Sequence, residues 1–261
     1  MLLPSLEQAP LYNAINQSLT ILGRENRTVQ AVAIGSFACP SDPEAGRPRD
    51  GDVRQMATYG LATPDERLML TFTSYSGCFG SYRVDTLPRP GRRCLVPAPL
   101  AAQADGCLGD AAPITLASIT DGLSNTIVVA EKATSTFRPL EAVDPLIFRR
   151  YGWYFTGNWG DTLFTTFYPP NMFRKVALAA SPAHTAAVSS LHSGGVNALM
   201  GDGSVRFIKD TVQSWPFDPL TGQPIGARLS PDGWWEGAPR PGGWQALGTR
   251  ASGEVLGADE F

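Results

Sequence analysis

Apolar positions along the chain fall in short runs separated by glycine, proline and polar clusters, a pattern that predicts short strands more than long helices. Leu3, Leu6, Leu11 and Ile15, with Tyr12 beside them, recur at near-helical spacing. They predict a short amphipathic helix interrupted near Pro10. Val29 to Ile34 reads as a strand, and Cys39-Pro40-Ser41-Asp42-Pro43 as a rigid turn fixed by two prolines. Residues 44–67 read as a surface loop. Leu70 to Tyr75 alternates apolar and hydroxyl residues, as a half-buried strand does, until Gly77 and Gly80 break it. Residues 83–113, rich in Pro, Ala and Gly, read as a long insertion on the surface. Ile114 to Ile119 predicts one helical turn ended by Asp121-Gly122, and Thr126 to Glu131 a buried strand of β-branched residues. Tyr151 to Phe155 is predicted as an aromatic strand, followed by an irregular stretch over 157–182. Two apolar runs, Val196 to Met200 and Val205 to Ile208, flank Asp202-Gly203 and predict a β-hairpin. Residues 214–243 read as loop, and Trp244 to Arg250 as a final short helix.

This order of elements gives an α+β fold: an antiparallel sheet body with short helices and long irregular loops. Composition narrows the class further. Hydrophobic residues make up 43% of the 261, enough for a buried core, and charged residues only 17%, which argues against a charge-solvated disordered chain. A net charge of -3 gives no basic footprint for nucleic acid and no polybasic membrane anchor. No apolar run approaches a bilayer-spanning length, and no signal peptide is visible after Met1.

Candidate chemistry is sparse. The four cysteines are Cys39, Cys78, Cys94 and Cys107. None forms a C-x-x-C pair, and there are two histidines, so a structural zinc site is not expected. The thiols are either free and partly buried or paired in an oxidising compartment. A local Cys94–Cys107 disulfide, closing a loop worth about 3 kcal/mol in the chain-entropy model, is preferred over Cys39–Cys78. His192 and Asp202 suit acid–base chemistry or metal binding. The preferred reading is structural, since Asp202 and Gly203 belong to a turn and His192 precedes the flexible Ser193-Gly194-Gly195. A cation site built on Asp121 or Asp202 is the remaining alternative. Ser124-Asn125-Thr126 lacks the nucleophile-elbow pattern and is expected to cap a turn. Glu131, at the end of an apolar strand, needs a partner, for which Arg206 is the candidate. Tyr151, Trp153, Tyr154 and Trp159 could line a ligand groove, but an aromatic strand is more often core. No cofactor is expected.

Several segments resemble, in order, the planctomycete family associated with prepilin-type processing and known for an H-x9-DG signature. That family is also labelled a domain of unknown function and a solute-binding protein family. His192 with Asp202-Gly203 carries the signature. Leu2 to Gln8 with Leu11 to Ile15 resembles its "LLPYLEQ…LYNAI" stretch, and Cys39 to Pro43 its "CPSDP" turn. Ser74-Tyr75 with Gly77 and Gly80 resembles its "SY…G" strand. Ile119 to Glu131, containing Asp121 and Gly122, resembles its "ITDGTSNT…E" segment, and Trp244 to Glu254 its "WRALGTRAGGE" ending.

The resemblance implies a non-enzymatic pilin- or pseudopilin-like protein of the cell envelope, acting in a type IV pilus- or type II secretion-like system. Members normally begin with a basic leader and an apolar helix that anchors them in the inner membrane. Here Met1 falls where the first soluble segment would start. A misplaced start is the preferred expectation, which puts the body in the envelope; a leaderless variant, taken literally, is cytoplasmic. Residues 1–20 would then be the remnant of the helical region and 21–261 a single pilin-like domain. Its expected partners are other pilin-like subunits, contacted through the absent helix, which is also the sole route to the membrane. The rival expectation is an envelope solute- or glycan-binding module using aromatics at 151–159 and 234–244. A binder would gather those rings around a concave pocket, and a pilin body would bury them.

Overall fold

The structure, a computed structural model, describes residues 2–85, 96–109, 113–177 and 182–254. Two small strands, Arg49–Asp50 (β1) and Met69–Leu70 (β2), pair with each other outside the main sheet. The main sheet holds Tyr75–Cys78 (β3), Ile127–Glu131 (β4), Leu163–Phe164 (β5), Gly195–Met200 (β6) and Val205–Lys209 (β7). Its spatial order is β5-β3-β4-β6-β7. All neighbours are antiparallel except β3 and β5. A second small pair, Arg228–Leu229 (β8) and Trp235–Glu236 (β9), follows. The α+β class with an antiparallel-rich sheet is therefore as expected.

Period-two alternation sets the two faces of this sheet. Along β6, Val196, Ala198 and Met200 are buried in one cluster with Cys78, Ile127, Phe164 and Ile208, while Asn197 and Leu199 point the other way. The core face is covered by the helix Gly243–Gly248 (α1), whose Trp244 and Leu247 are fully buried. Burying a side chain the size of Leu247 contributes roughly 1.5–3 kcal/mol. Gln245 is buried too, and each polar end is satisfied: Nε2 donates to the Thr166 carbonyl at 2.8 Å, and Oε1 accepts the Gly242 N–H at 3.2 Å.

The hairpin forms as predicted, with Gly203 at φ +85°, a conformation that glycine adopts without steric cost. The strand at 126–131 and the final helix also form as predicted, and the helical turn before Asp121 is a 3-10 turn at Leu116–Ser118. The expected strand at 70–75 is divided: β2 ends at Leu70 and β3 begins at Tyr75. Near the N-terminus, Leu3–Leu6 is a 3-10 turn and Ala9–Ala14 a separate α-helix. Pro10 starts the second element, where its missing N–H costs nothing.

Three expectations need correction. Val29 to Ile34 is not a strand; Arg27–Gln30 is a single helical turn. Buried Gln30 fixes it, donating to the Ile21 and Gly23 carbonyls. Tyr151 to Phe155 is not a strand either. Gly152 has φ +95°, and the Asp161 carboxylate accepts the Gly152 and Trp153 N–H groups that a sheet partner would need. Among the described residues, the strand-like pairing of this segment is one isolated bridge, Phe72 to Trp153. Finally, the described residues of the 83–113 stretch do not all lie on the surface. Val84, Leu100 and Cys107 are buried, and Gly106 donates to the Phe79 carbonyl at 2.9 Å.

That last contact forms a clasp. Asp105 accepts both the N–H and the hydroxyl of Ser81 at 2.6 Å. Burial pushes the Asp105 carboxyl up to about 6, against the pull of the Ser81 donors and the Arg250 charge. A pKa raised in the folded state means that the native form holds its proton longer than the unfolded chain. Stability from this group is therefore full below about pH 4 and lost as pH rises to about 6. Asp105→Asn keeps an acceptor for the Ser81 N–H, and its amide can donate to the hydroxyl. Its stability, from urea unfolding at pH 4 and pH 7, is expected to fall less over that interval than the parent's, by roughly 1–3 kcal/mol. Parallel pH profiles for the two proteins would refute this assignment.

Candidate functional site

Three residues from the segments that carry the family resemblance, Cys39, Glu131 and His192, meet on the face of the sheet opposite the core. Glu131 ends β4, directly across from Tyr75 on β3 and beside Asn197 on β6. Its Oε2 accepts the Asn197 N–H at 2.8 Å, and its Oε1 accepts Asn197 Nδ2 at 3.0 Å. His192, just before β6, brings Nε2 to 3.1 Å from Glu131 Oε1. Cys39, in the proline-bounded turn, places Sγ 3.9 Å from Glu131 Oε1 and 3.9 Å from His192 Nε2. Burial pushes the nearby Tyr75 phenol above its ordinary value, with Cys39 and Glu131 adding to the shift. Glu131 and Cys39 are buried, whereas the His192 ring is about one-third exposed.

The turn that delivers Cys39 is anchored by Asp42, a buried carboxylate that sequence reasoning passed over. Its Oδ2 accepts the Thr134 N–H at 2.8 Å, the Ser74 hydroxyl at 3.1 Å and the Thr134 hydroxyl at 3.3 Å. Its Oδ1 accepts the N–H groups of Glu44 at 3.2 Å and Ser135 at 3.3 Å. Backbone bonds from Ser74 to the Phe37 carbonyl and from Lys132 to the Ser74 carbonyl complete the seam. Turn, β3, β4 and the approach to β6 are thus cross-linked within a few residues of Glu131.

The other candidates lie elsewhere. Asp202 is exposed at the hairpin tip, and its Oδ1 accepts the N–H and hydroxyl of Ser204, which hold its carboxyl below the ordinary value. His192 and Asp202 flank the two ends of β6, whose six residues span roughly 20 Å at about 3.3 Å each. The H-x9-DG spacing therefore measures one strand and its turn, not a pair of reacting groups. Asp121 accepts Thr249 Oγ1 at 3.2 Å and the N–H groups of Ser252 and Gly253 at 2.8 Å. It ties the C-terminal segment to the loop before β4, and Gly122 at φ +100° shapes that loop. Both carboxylates thus face protein donors. Glu131 is met by Asn197, His192 and Cys39, where the sequence suggested Arg206.

Among the aromatic candidates, Trp153 is buried. Trp159 is half-buried, with its ring edge-on to Phe79 and its N–H donated to the Val84 carbonyl at 3.1 Å. Tyr151 packs against Phe137, and the Tyr154 hydroxyl donates to the Val29 carbonyl at 2.7 Å. Cys39, Cys78 and Cys107 are free thiols, so Cys39–Cys78 is not a disulfide. Burial pushes the Cys107 thiol up to about 11. The Cys94–Cys107 pairing involves Cys94, which lies outside the described residues.

A pair absent from any sequence reading sits on the core side of Glu131. Lys132 is 1% exposed, and its Nζ donates to the Leu163 carbonyl at 3.2 Å. Burial pushes the Lys132 ammonium down and the Asp161 carboxyl up, and each charge opposes the other's shift.

A comparison with protein families matches residues 1–214 to the family described as a protein of unknown function, DUF1559, under the label SBP_bac_10. The chain belongs to this family. No curated protein and no solved structure gives a significant match. Among the described residues, no helix is long and apolar enough to cross a membrane.

Proposed function

We propose that the chain is a non-enzymatic, pilin- or pseudopilin-like body of the bacterial cell envelope, contributing the outer surface of an assembly in a type IV pilus- or type II secretion-like system. The observation that carries this reading is where the aromatic residues go. Trp153, Trp235 and Trp244 are 4%, 6% and 0% exposed, so three of the rings a binding module would present are spent on the interior. The polar cluster supports the same reading. In a nucleophile–base–orienter relay the histidine uses one ring nitrogen for each partner. Here Cys39 and Glu131 both face Nε2 of His192, which does not make a relay.

One observation favours the rival reading of an envelope solute-binding module, in keeping with the family's label. An open groove of about 550 Å³ lies between the N-terminal segment and the aromatic loop, lined by Leu3, Ile15, Leu19, Val29, Tyr154 and Phe155 among others. The two readings separate in one experiment. The gene is expressed from its native locus with a C-terminal tag, cells are cross-linked, and the envelope is fractionated. The pilin-like reading expects tagged protein in the envelope, cross-linked to further copies or to similar subunits. A monomer without such cross-links, carrying a small molecule in native mass spectrometry, would overturn it.

A further inference from the structure

We infer that Cys39, Glu131 and His192 form a binding site for a zinc-class divalent ion. Three donor atoms of three chemical types converge on one point, at 3.1, 3.9 and 3.9 Å from each other. A tetrahedral ion bound at about 2.0–2.1 Å by nitrogen and oxygen and about 2.3 Å by sulfur holds such ligands roughly 3.4–3.6 Å apart. The observed triangle brackets that spacing, so shifts of a few tenths of an ångström complete it. Thiolate with imidazole selects zinc-like ions over calcium or magnesium, which prefer oxygen alone. Thiolate and carboxylate together balance the two positive charges.

The surroundings suit the role. Asn197 holds the Glu131 carboxylate from two directions. The His192 backbone N–H is held by Ser190 Oγ at 3.1 Å, and Asp42 fixes the turn that carries Cys39. Such supporting bonds are what keep metal ligands oriented. The exposed side of His192 leaves the fourth position to water, with the Tyr75 hydroxyl nearby. The ligands come from segments 92 and 153 residues apart, counted from Cys39. The ion would therefore lock the turn, β4 and the approach to β6 together. This site stands on its own geometry and holds whether or not the protein assembles as proposed above.

The test uses the reduced full chain, stripped with chelator and titrated with Co²⁺ and then Zn²⁺. About one Co²⁺ per chain is expected to bind, with a thiolate charge-transfer band and the visible absorption of a tetrahedral centre, both removed by Zn²⁺. Zn²⁺ should also raise the melting temperature. Cys39→Ser should abolish the charge-transfer band. His192→Ala, at a partly exposed ring, should leave the fold intact and weaken Zn²⁺ binding at least about 10-fold, since loss of an orienting neighbour alone costs that much. Sub-stoichiometric binding would overturn the site, as would unchanged affinity in His192→Ala.

Discussion

Asp42→Ala is expected to lower the stability of the chain by about 3–5 kcal/mol, the largest loss for any single polar side chain described above. The carboxylate is 4% exposed and accepts five hydrogen bonds. Truncation removes every acceptor at once. The Thr134 N–H and the Ser74 hydroxyl belong to residues with no exposure and no route to water. Each buried donor left unpaired costs roughly 1–3 kcal/mol, and bonds to a charged acceptor sit at the upper end. Asp42→Asn should cost less, because one oxygen remains, although its amide must then face donors. Urea unfolding with unchanged m-value reads the effect directly. A loss below about 1 kcal/mol in Asp42→Ala would show that the turn is not anchored through this side chain.

Gly80→Ala should be comparably damaging for a different reason. Gly80 has φ +135°, where residues with a Cβ are strained at a cost of roughly 1–3 kcal/mol. The added Cβ would also lie 1.9 Å from Asp105 Oδ1 and 2.7 Å from the Gly106 nitrogen. The carboxylate cannot swing away without losing Ser81, and the backbone nitrogen is held by the Phe79 carbonyl. Strain and displaced contacts together set a loss of about 4 kcal/mol. At the size of this chain that lowers the melting temperature by roughly 8–16 °C. By contrast, a Cβ on Gly203 meets nothing within 4 Å, so a substitution there carries only the conformational penalty. A melting temperature within about 2 °C of the parent for Gly80→Ala would mean that the clasp between 79–81 and 105–106 is loose.

The elements legible in the sequence were those whose residues decide their own conformation. Asp202-Gly203 between two apolar runs specifies a hairpin locally, and the β-branched run before Glu131 specifies a strand. Elements set by distant partners were not legible. Val29 to Ile34 has strand-like composition, but Gln30 bonds to residues before it and wraps the chain into a turn. The aromatic segment 151–155 loses its strand to the side chain of Asp161, whose approach no local pattern signals. The cluster at Glu131 shows the same limit. Metal-ligand reasoning looks for short spacings, whereas Cys39, Glu131 and His192 are brought together by the pairing of β3, β4 and β6 and by the turn that Asp42 anchors to them. Asp42 was hidden behind its two prolines, whose turn-forming role explained the segment without giving the carboxylate anything to do.

The turn at 37–43, the strands β3 and β4 and the approach to β6 are knitted around Glu131 and are expected to open as one unit. Amide hydrogen exchange on the intact chain and on Glu131→Ala tests it most directly. Protection of peptides covering 37–43, 74–78, 127–134 and 189–197 should be high and similar in the parent, and should fall together in the variant, while the peptide holding α1 keeps its own. Loss confined to the peptide around residue 131, with the other three unchanged, would contradict it.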